Sequence, residues 1–291
     1  MFTNRKITFI GPGAMAEAMI AGLLRENVAA SQSICAAGPR RARLDELQAR
    51  YGIHANTDNA AAVQQADVIV LAVKPQRLDG VLAGLAGKIP AGALVLSIVA
   101  GATIEQISGG LRHLIIVRSM PNTPAKIGQG ITVWKTSPQV SAEQTEMARQ
   151  ILRALGDEVQ MDEEYYLDMA TALSGTGPAY VFLFMESLVD AGVHLGFPRR
   201  IAEQLVSQTV LGSVAYYQAQ MQQGEPVHLA NLRNQVTSPG GTSAAALYYL
   251  EKAGFRTALS RAVWAAYERS AELGRGRKTH DPESNGTKNT D

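Results

Sequence analysis

A short strand, a glycine turn and a helix follow one another at the start of this chain, and they constrain its fold more than any other feature. Lys6 to Ile10 is an apolar run of strand length, and Ala14 to Arg25 has the spacing of a helix. Gly11-Pro12-Gly13 stands between them, where missing side chains allow a tight turn and close approach to the backbone. A strand that enters a helix through so short a turn is typical of a parallel sheet with helical crossovers.

The same alternation continues through the first half of the chain. Further strands are predicted at 33–37, 67–73, 94–99 and 114–117, edge strands at 130–134 and 158–161, and a second helix at 40–51. The strand runs lack polar alternation, which indicates a sheet covered on both faces. The pattern predicts an α/β domain of Rossmann type with a mostly parallel sheet.

The pattern becomes helical after residue 162. Helices are predicted at 179–195, 198–222, 241–252 and 255–273, and strand signals almost disappear. We therefore predict a Rossmann-type domain over 1–162 and an all-α domain over 163–274. The polar, aperiodic segment 275–291 is expected to be a disordered tail.

Composition excludes several classes of function. Lys plus Arg number 27 against 26 for Asp plus Glu, so bulk charge does not indicate nucleic acid or an acidic membrane as a partner. Cys35 is the single cysteine, which excludes an internal disulfide and fits a reducing compartment. No apolar run approaches the roughly 18 residues of a membrane span, and the five histidines lack metal-ligand spacing. We expect a cytoplasmic protein without a metal.

Gly11-x-Gly13-x-x-Ala16 is the dinucleotide fingerprint in its required context, after a strand and at the opening of a helix. The second predicted strand ends at Gly38 without the acid that usually binds the ribose 2′-hydroxyl of NAD. Arg40, Arg41 and Arg43 follow instead, and guanidinium groups bind phosphate through paired donors. This basic turn favours NADP over NAD, with a solvated arginine face as the alternative.

Two other residues are candidates for cofactor contacts. Lys74 ends a buried strand, and ligands bind at the carboxyl ends of strands in open α/β sheets. An exposed lysine at a strand end is the alternative. Asn59 either caps a helix that begins at Ala60 or contacts the cofactor.

The segment Val236 to Ser243 is a candidate anion site. It contains glycines and hydroxyl side chains and stands directly before a helical run. The N–H groups of a helix N-terminus can bind an anion without a lysine. A tight loop with an ordinary N-cap is the alternative.

Together these motifs resemble the pyrroline-5-carboxylate reductase family over about Lys6 to Leu273. The resemblance rests on Phe9 to Met15, Ala72-Val73-Lys74-Pro75, Ser97 to Gly101, Met120-Pro121-Asn122-Thr123-Pro124, Leu173 to Tyr180, Gln208 to Gly212 and Ser238 to Ser243, in this order. It implies cofactor contacts at Ile10, Gly11, Pro12, Gly13, Ala14, Met15, Gly38, Asn59, Ala72, Val73, Lys74, Pro75 and Ala100, beside the candidate Arg40 and Arg41. It implies substrate contacts at Ser238, Gly240, Gly241, Thr242 and Ser243, with Glu225 near them.

The resemblance also implies an activity and an assembly. The family reduces L-1-pyrroline-5-carboxylate to L-proline, the last step of proline biosynthesis, by hydride transfer from NADPH, with NADH as a weaker donor. Its helical domains pair two subunits, and each active site lies between a nucleotide domain and a partner's helical domain. Ser243 or Thr242 would orient or protonate the imine nitrogen. The family usually has Thr at or beside position 243, so the two hydroxyls compete for this role.

The residues disfavour two other functions. A related hydroxyacid dehydrogenase would need a base, and Lys252 is the one lysine of the predicted helical domain. It follows Glu251 near a helix end, which disfavours that role. A non-catalytic NADP-binding regulator would leave the Ser238 to Ser243 loop without a substrate.

Overall fold

One mixed sheet organises the first part of the chain. The structure is a computed structural model that describes residues 5–222 and 227–274. Within these residues the strands are β1 (Ile7–Ile10), β2 (Ile34–Ala37), β3 (His54–Asn56), β4 (Val68–Leu71), β5 (Leu94–Ser97), β6 (Ile116–Met120), β7 (Gly130–Thr136) and β8 (Gly156–Gln160). They lie side by side in the order β3-β2-β1-β4-β5-β6-β7-β8.

All neighbouring strands are parallel except β6 and β7, which are antiparallel. The chain builds outward from β1 to β3 on one side and then returns to place β4 on the other side of β1. At the carboxyl end of β1, Ile10 is in register with Ala37 of β2 and Leu71 of β4. This reversal of strand order is where open α/β sheets bind ligands. The predicted Rossmann-type fold with a mostly parallel sheet is confirmed.

Helices cover both faces of the sheet. They are α1 (Ala14–Arg25), α2 (Arg41–Tyr51), α3 (Asn59–Val63), α4 (Leu78–Leu85), α5 (Ile104–Leu111), α6 (Ala142–Arg153) and α7 (Tyr166–Ala170). Ile7 and Phe9 point to the face packed by α1, α2 and α6, whereas Ile10 belongs to the core shared with α3, α4 and α5. Because side chains alternate along a strand, a single apolar run supplies both cores.

Helices make up the rest of the described chain. After a π-helical turn at Thr171–Gly175 come α8 (Gly177–His194), α9 (Arg199–Met221), α10 (Leu229–Gln235), α11 (Thr242–Lys252) and α12 (Phe255–Gly274). The described residues form two compact units, one of 5–176 with 265–274 and one of 177–264. Helix α12 therefore begins in the second unit and ends in the first. The expected tail over 275–291 lies outside the described residues, so it stays a prediction.

Among the described residues, no helix is both long and apolar enough to cross a membrane. The same part of the chain holds no group of three or more side chains arranged as metal ligands.

Candidate functional site

The glycine turn lies at the carboxyl end of β1, between β2 and β4. The Gly11 N–H donates to the Ala37 carbonyl at 2.9 Å, and the Ala72 N–H donates to the Ile10 carbonyl at 2.9 Å. Gly11 has a φ of +87°, and a Cβ there would lie 2.5 Å from Cγ1 of Val73. Both the backbone conformation and the close packing therefore require glycine at this position.

The N-terminus of α1 is open to an anion. Gly13 is its N-cap and offers no side chain, and the first helical bond runs from the Glu17 N–H to the Gly13 carbonyl at 3.0 Å. The backbone N–H groups of Ala14, Met15 and Ala16 have no backbone acceptor among the described residues. Three free donors at the positive end of a helix fit a pyrophosphate.

The three arginines of the predicted basic turn differ in exposure and in their partners. Arg40 is exposed at the N-cap of α2, and its side chain makes no hydrogen bond or ion pair with any residue that the structure describes. The Nε–H group of Arg41 donates to Oδ1 of Asp45 at 2.9 Å, and the Arg41 side chain is 70% exposed. Arg43 is the one turned inward, with its side chain only 18% exposed. Among the three, Arg40 is thus the guanidinium with no donor used by another described residue, whereas Arg41 uses only its Nε–H.

Arg43 is held by carboxylates on two helices. Its guanidinium donates to Glu17 of α1 and, at 2.7 Å, to Glu46 of α2, and these hydrogen bonds raise its pKa. Glu17 also accepts from Nη1 of Arg50 at 2.6 Å and from the Tyr51 hydroxyl at 3.0 Å. Burial alone would raise the pKa of Glu17, but the hydrogen bonds from Arg43 and Tyr51 and the nearby positive charges lower it overall.

Asn59 does not cap its helix. The N-cap of α3 is Asp58, whose Oδ1 accepts from the Ala60 N–H at 2.8 Å and the Ala61 N–H at 3.3 Å. The helix begins at Asn59 itself, so the capping alternative is wrong. Oδ1 of Asn59 is buried and has no hydrogen-bond partner within the described chain. A buried acceptor without a donor is costly, which is the state expected of a side chain that awaits a ligand.

The remaining cofactor candidates follow the carboxyl ends of β2, β4 and β5. A Cβ on Gly38 would lie 2.9 Å from Cδ of Pro12, so the turn after β2 packs directly on the glycine turn. Lys74 is exposed after β4 and precedes a 3₁₀ turn at Pro75–Arg77, and Ala72 and Val73 lead into it. Ala100 follows β5. The fold therefore brings the nucleotide candidates to one edge of the sheet.

The Ser238 to Ser243 loop lies in the second unit. Gly240 has a φ of +71°, and the Gly241 N–H donates to the Ser238 carbonyl at 3.1 Å. A Cβ on Gly241 would lie 2.6 Å from Oγ of Ser238. The loop is therefore a tight turn that folds back on Ser238.

Helix α11 begins directly after this loop, and its N-terminus is also open. Gly241 is its N-cap and provides no side-chain bond. The backbone N–H groups of Thr242, Ser243 and Ala244 have no backbone acceptor in the described part of the chain. The side chain of Thr242 is exposed and that of Ser243 half-buried. Because Gly241 uses its own N–H inside the loop, the N–H groups open to a carboxylate begin at Thr242. Glu225 lies outside the described residues, so its role stays a prediction.

Sequence reasoning missed a buried arginine on β6. Nη1 of Arg118 donates to Glu164 at 2.9 Å, and Nη2 donates to Asp168 at 2.8 Å. The Arg118 side chain is 4% exposed. Oε1 of Glu164 also accepts from the Ile104 N–H at 2.8 Å, and Oδ1 of Asp168 accepts from the Ser270 hydroxyl at 3.0 Å. The strand was predicted to end at Val117. A charged residue that continues an apolar run was the signal that this arginine is buried and paired.

Asn122 ties the end of β6 to the helical turn that precedes the second unit. Its Nδ2 donates to the Ser174 carbonyl at 3.2 Å, and its Oδ1 accepts from the Ile131 N–H at 3.0 Å. A Cβ on Gly175 would lie 2.7 Å from Cε of Met120. The segment from Met120 to Pro124 is therefore fixed in place on the π-helical turn at Thr171–Gly175.

Known families match both parts of the chain. A model described as pyrroline-5-carboxylate reductase dimerisation matches residues 164–273, and one described as NADP oxidoreductase, coenzyme F420-dependent, matches residues 6–101. A pyrroline-5-carboxylate reductase of Synechocystis sp. is 44% identical over 273 residues, which cover 93% of this chain and 98% of that relative. One from Pseudomonas aeruginosa is 42% identical over 271 residues, covering 92% and 96%. The chain belongs to the pyrroline-5-carboxylate reductase family.

Solved structures of such reductases have the same fold. The crystal structure of Plasmodium falciparum pyrroline carboxylate reductase with NADP bound superposes with a TM-score of 0.82 at 32% identity, covering 93% of this chain and 98% of that one. A pyrroline-5-carboxylate reductase from Coxiella burnetii gives a TM-score of 0.81 at 36% identity, covering 94% and 99%. The predicted family is confirmed, and this reductase is an oxidoreductase.

The helical unit of the reductase leaves most of its large apolar side chains exposed. Among its described residues only Val189 and Ala202 are buried, whereas Leu183 is 63% and Tyr249 70% exposed. Helices that are apolar on their outer faces need a partner surface. Because these helices fall within the dimerisation model of the family, the prediction of a homo-oligomer is confirmed.

Proposed function

We propose that this reductase converts L-1-pyrroline-5-carboxylate to L-proline with NADPH as its preferred donor, with NADH weaker, as the last step of proline biosynthesis in the cytoplasm. One observation carries the proposal. The N-termini of α1 and α11 each follow a glycine turn, have glycine as the N-cap, and keep three N–H groups without a backbone acceptor within the described residues. Two anion sites are what a reductase needs when both its cofactor and its substrate are anionic.

The first of these sites suits the cofactor. The N–H groups of Ala14, Met15 and Ala16 would hold the pyrophosphate, and Arg40 would bind the 2′-phosphate with Arg41 beside it. The unpaired Oδ1 of Asn59 would accept a hydrogen bond from the bound nucleotide. Bound NADPH supplies the hydride that reduces the C=N carbon of the substrate.

The second site suits a small carboxylate. The N–H groups of Thr242 and Ser243, with the Ser238 hydroxyl, would bind the substrate carboxylate without an arginine. A hydroxyl of Ser243 or Thr242 would then hydrogen-bond the imine nitrogen. Neither hydroxyl is bonded within the described chain, so both are available as donors or acceptors. Because an unperturbed serine is a weak acid, we assign these residues to orientation of the ring rather than to strong acid catalysis.

A hydroxyacid dehydrogenase is disfavoured by the position of Lys252. This lysine is the last residue of α11, at the opposite end of that helix from the Ser238 to Ser243 loop. Its Nζ lies 5.8 Å from the ring centroid of Tyr248 on the same helix. With a rise of about 1.5 Å per residue, the helix separates Lys252 from Thr242 by about 15 Å.

The activity is tested by mixing the purified protein with NADPH and pyrroline-5-carboxylate and following loss of the NADPH absorbance. We expect turnover that depends on both reactants and forms proline. Ser243→Ala and Thr242→Ala should each lower kcat/KM for the substrate while leaving the Kd for NADPH unchanged, and the larger loss identifies the hydroxyl nearer the nitrogen. NADPH binding without any turnover would instead support a non-catalytic regulator.

A further inference from the structure

The peptide group between Pro12 and Gly13 is held at both of its polar ends. Nε of Arg43 donates to the Pro12 carbonyl at 3.2 Å, and the Gly13 N–H donates to the Gly11 carbonyl at 2.7 Å. A peptide group is planar, so holding its oxygen and its N–H fixes the orientation of the whole unit. This unit leads directly into the open N-terminus of α1.

Arg43 can act on the turn because its own side chain is immobilised. It is bonded to Glu17 and Glu46, and the Arg43 and Glu17 side chains are 18% and 19% exposed, against 70% for Arg41. Glu17 is in turn held by Arg50 and Tyr51. An arginine already bonded to two carboxylates loses little further freedom when it also holds the turn.

The same contacts neutralise an unfavourable charge. Glu17 stands in the first turn of α1, where a free carboxylate would repel a second anion bound at that helix N-terminus. Two guanidinium groups, those of Arg43 and Arg50, contact this single carboxylate. Both arginines also contact Glu46, so the two guanidinium groups and the two carboxylates sum to zero, and Glu17 leaves no uncompensated negative charge near the turn.

We propose that Arg43, held by Glu17, is a positioning residue that orients the Pro12–Gly13 peptide and thereby the N–H groups of α1 toward the cofactor pyrophosphate. This inference rests on the proposed function, because it takes the turn to be the dinucleotide site. The pyrophosphate is common to NADPH and NADH. Arg43 therefore acts on both cofactors equally, in contrast to Arg40, whose target is the 2′-phosphate of NADPH alone.

The experiment compares dissociation constants for NADPH and NADH, measured by fluorescence titration of the purified protein. Arg43→Ala should weaken both cofactors by the same factor, about tenfold for the loss of a charge-assisted hydrogen bond. The kcat at saturating NADPH and the KM for pyrroline-5-carboxylate should not change. Glu17→Ala should have a similar but smaller effect, whereas Glu17→Gln, which keeps an acceptor for Arg43, should stay within about twofold of wild type.

Two further variants sharpen the comparison. Glu17→Ala/Arg43→Ala should bind no more weakly than Arg43→Ala, because the two residues act through one contact. Arg153→Ala is the control, since it removes an arginine from another carboxylate pair, with Glu158, at the far edge of the sheet. It should leave both dissociation constants unchanged.

Two outcomes would overturn the inference. A lowered Tm with unchanged dissociation constants would mean that Arg43 only stabilises the fold. A loss confined to NADPH would mean that Arg43 binds the 2′-phosphate. If Arg43→Ala does not fold, the comparison of Glu17→Ala with Glu17→Gln makes the same test. Binding of both cofactors to the wild-type protein is measured first. If the wild-type protein binds neither cofactor, the proposed function is rejected.

Discussion

Arg40 is expected to carry most of the preference for NADPH over NADH. Three arginines follow β2, but they differ in how many ion pairs their side chains make. Arg43 is committed to Glu17 and Glu46, and Arg41 is paired with Asp45 across one helical turn. Arg40 is exposed at the N-cap of α2 and has no carboxylate partner in the described chain. It can bind a phosphate without first breaking another interaction.

The expected loss of NADPH affinity follows from the solvent exposure of these arginines. A hydrogen bond between two charged groups is worth about 1.5–3 kcal/mol, and solvent at an exposed turn reduces this toward the lower end. Since 1.4 kcal/mol corresponds to a factor of ten, Arg40→Ala should raise the Kd for NADPH about tenfold. Arg41 must leave an exposed i,i+4 pair worth about 0.3–0.5 kcal/mol. Arg41→Ala should therefore cost less than Arg40→Ala, and Asp45→Asn should strengthen NADPH binding by about twofold.

The assay is a titration of each variant with NADPH and, separately, with NADH, at one fixed ionic strength. Arg40→Ala should leave the Kd for NADH nearly unchanged, and the charge-reversed pair Arg40→Asp/Arg41→Asp should weaken NADPH far more than NADH. Arg153→Ala serves again as the control. Equal losses for the two cofactors would refute the assignment of this turn to the 2′-phosphate. A larger effect at Arg41 than at Arg40 would refute the argument from ion pairing.

Three other predictions concern the substrate loop, the buried arginine and the unpaired amide. Gly241→Ala should raise the KM for pyrroline-5-carboxylate and leave the Kd for NADPH unchanged, because its Cβ would meet Ser238; Gly84→Ala, with open space at its Cβ, is the kinetic control. Arg118→Met leaves two partly buried carboxylates without their guanidinium partner, so denaturant unfolding should show a free energy of unfolding lower by about 2–3 kcal/mol. A decrease below about 1 kcal/mol would contradict that reasoning. Asn59→Ala should weaken NADPH binding without destabilising the free protein, since the amide oxygen has no partner to lose; unfolding curves with and without NADPH separate these effects.

Local sequence predicted the elements whose pattern is complete within a few residues. The first strand, the glycine turn and α1 were predicted with the bounds of α1 correct at both ends, because glycine spacing and helical periodicity are local properties. Strand β3 was missed, since His54-Ala55-Asn56 is short and has no apolar run. The antiparallel direction of β7 could not be predicted either, because strand direction depends on which neighbour is available in the sheet.

The division of roles among charged residues depends on contacts that are distant in sequence. The basic turn was predicted from Arg40, Arg41 and Arg43 alone. The contact that turns Arg43 inward is with Glu17, 26 positions earlier in the chain. Arg118 is likewise explained by Asp168, 50 positions later. Pairings of this kind follow from the packing of helices on the sheet, which residue types and spacing do not determine.

The helical unit shows why a correct prediction of helices can leave the core undetermined. The apolar residues of α8 and α9 were predicted to form helices, and they do. Within one chain, however, those helices bury only Val189 and Ala202 between them. Apolar surface removed from water stabilises the folded state by roughly 25 cal/mol per Å². Helix faces that stay this exposed therefore add little to the free energy of folding until another surface covers them. Because the family model for dimerisation covers both helices, we expect the homo-oligomer to supply that surface, so the stability of this unit should rise with protein concentration.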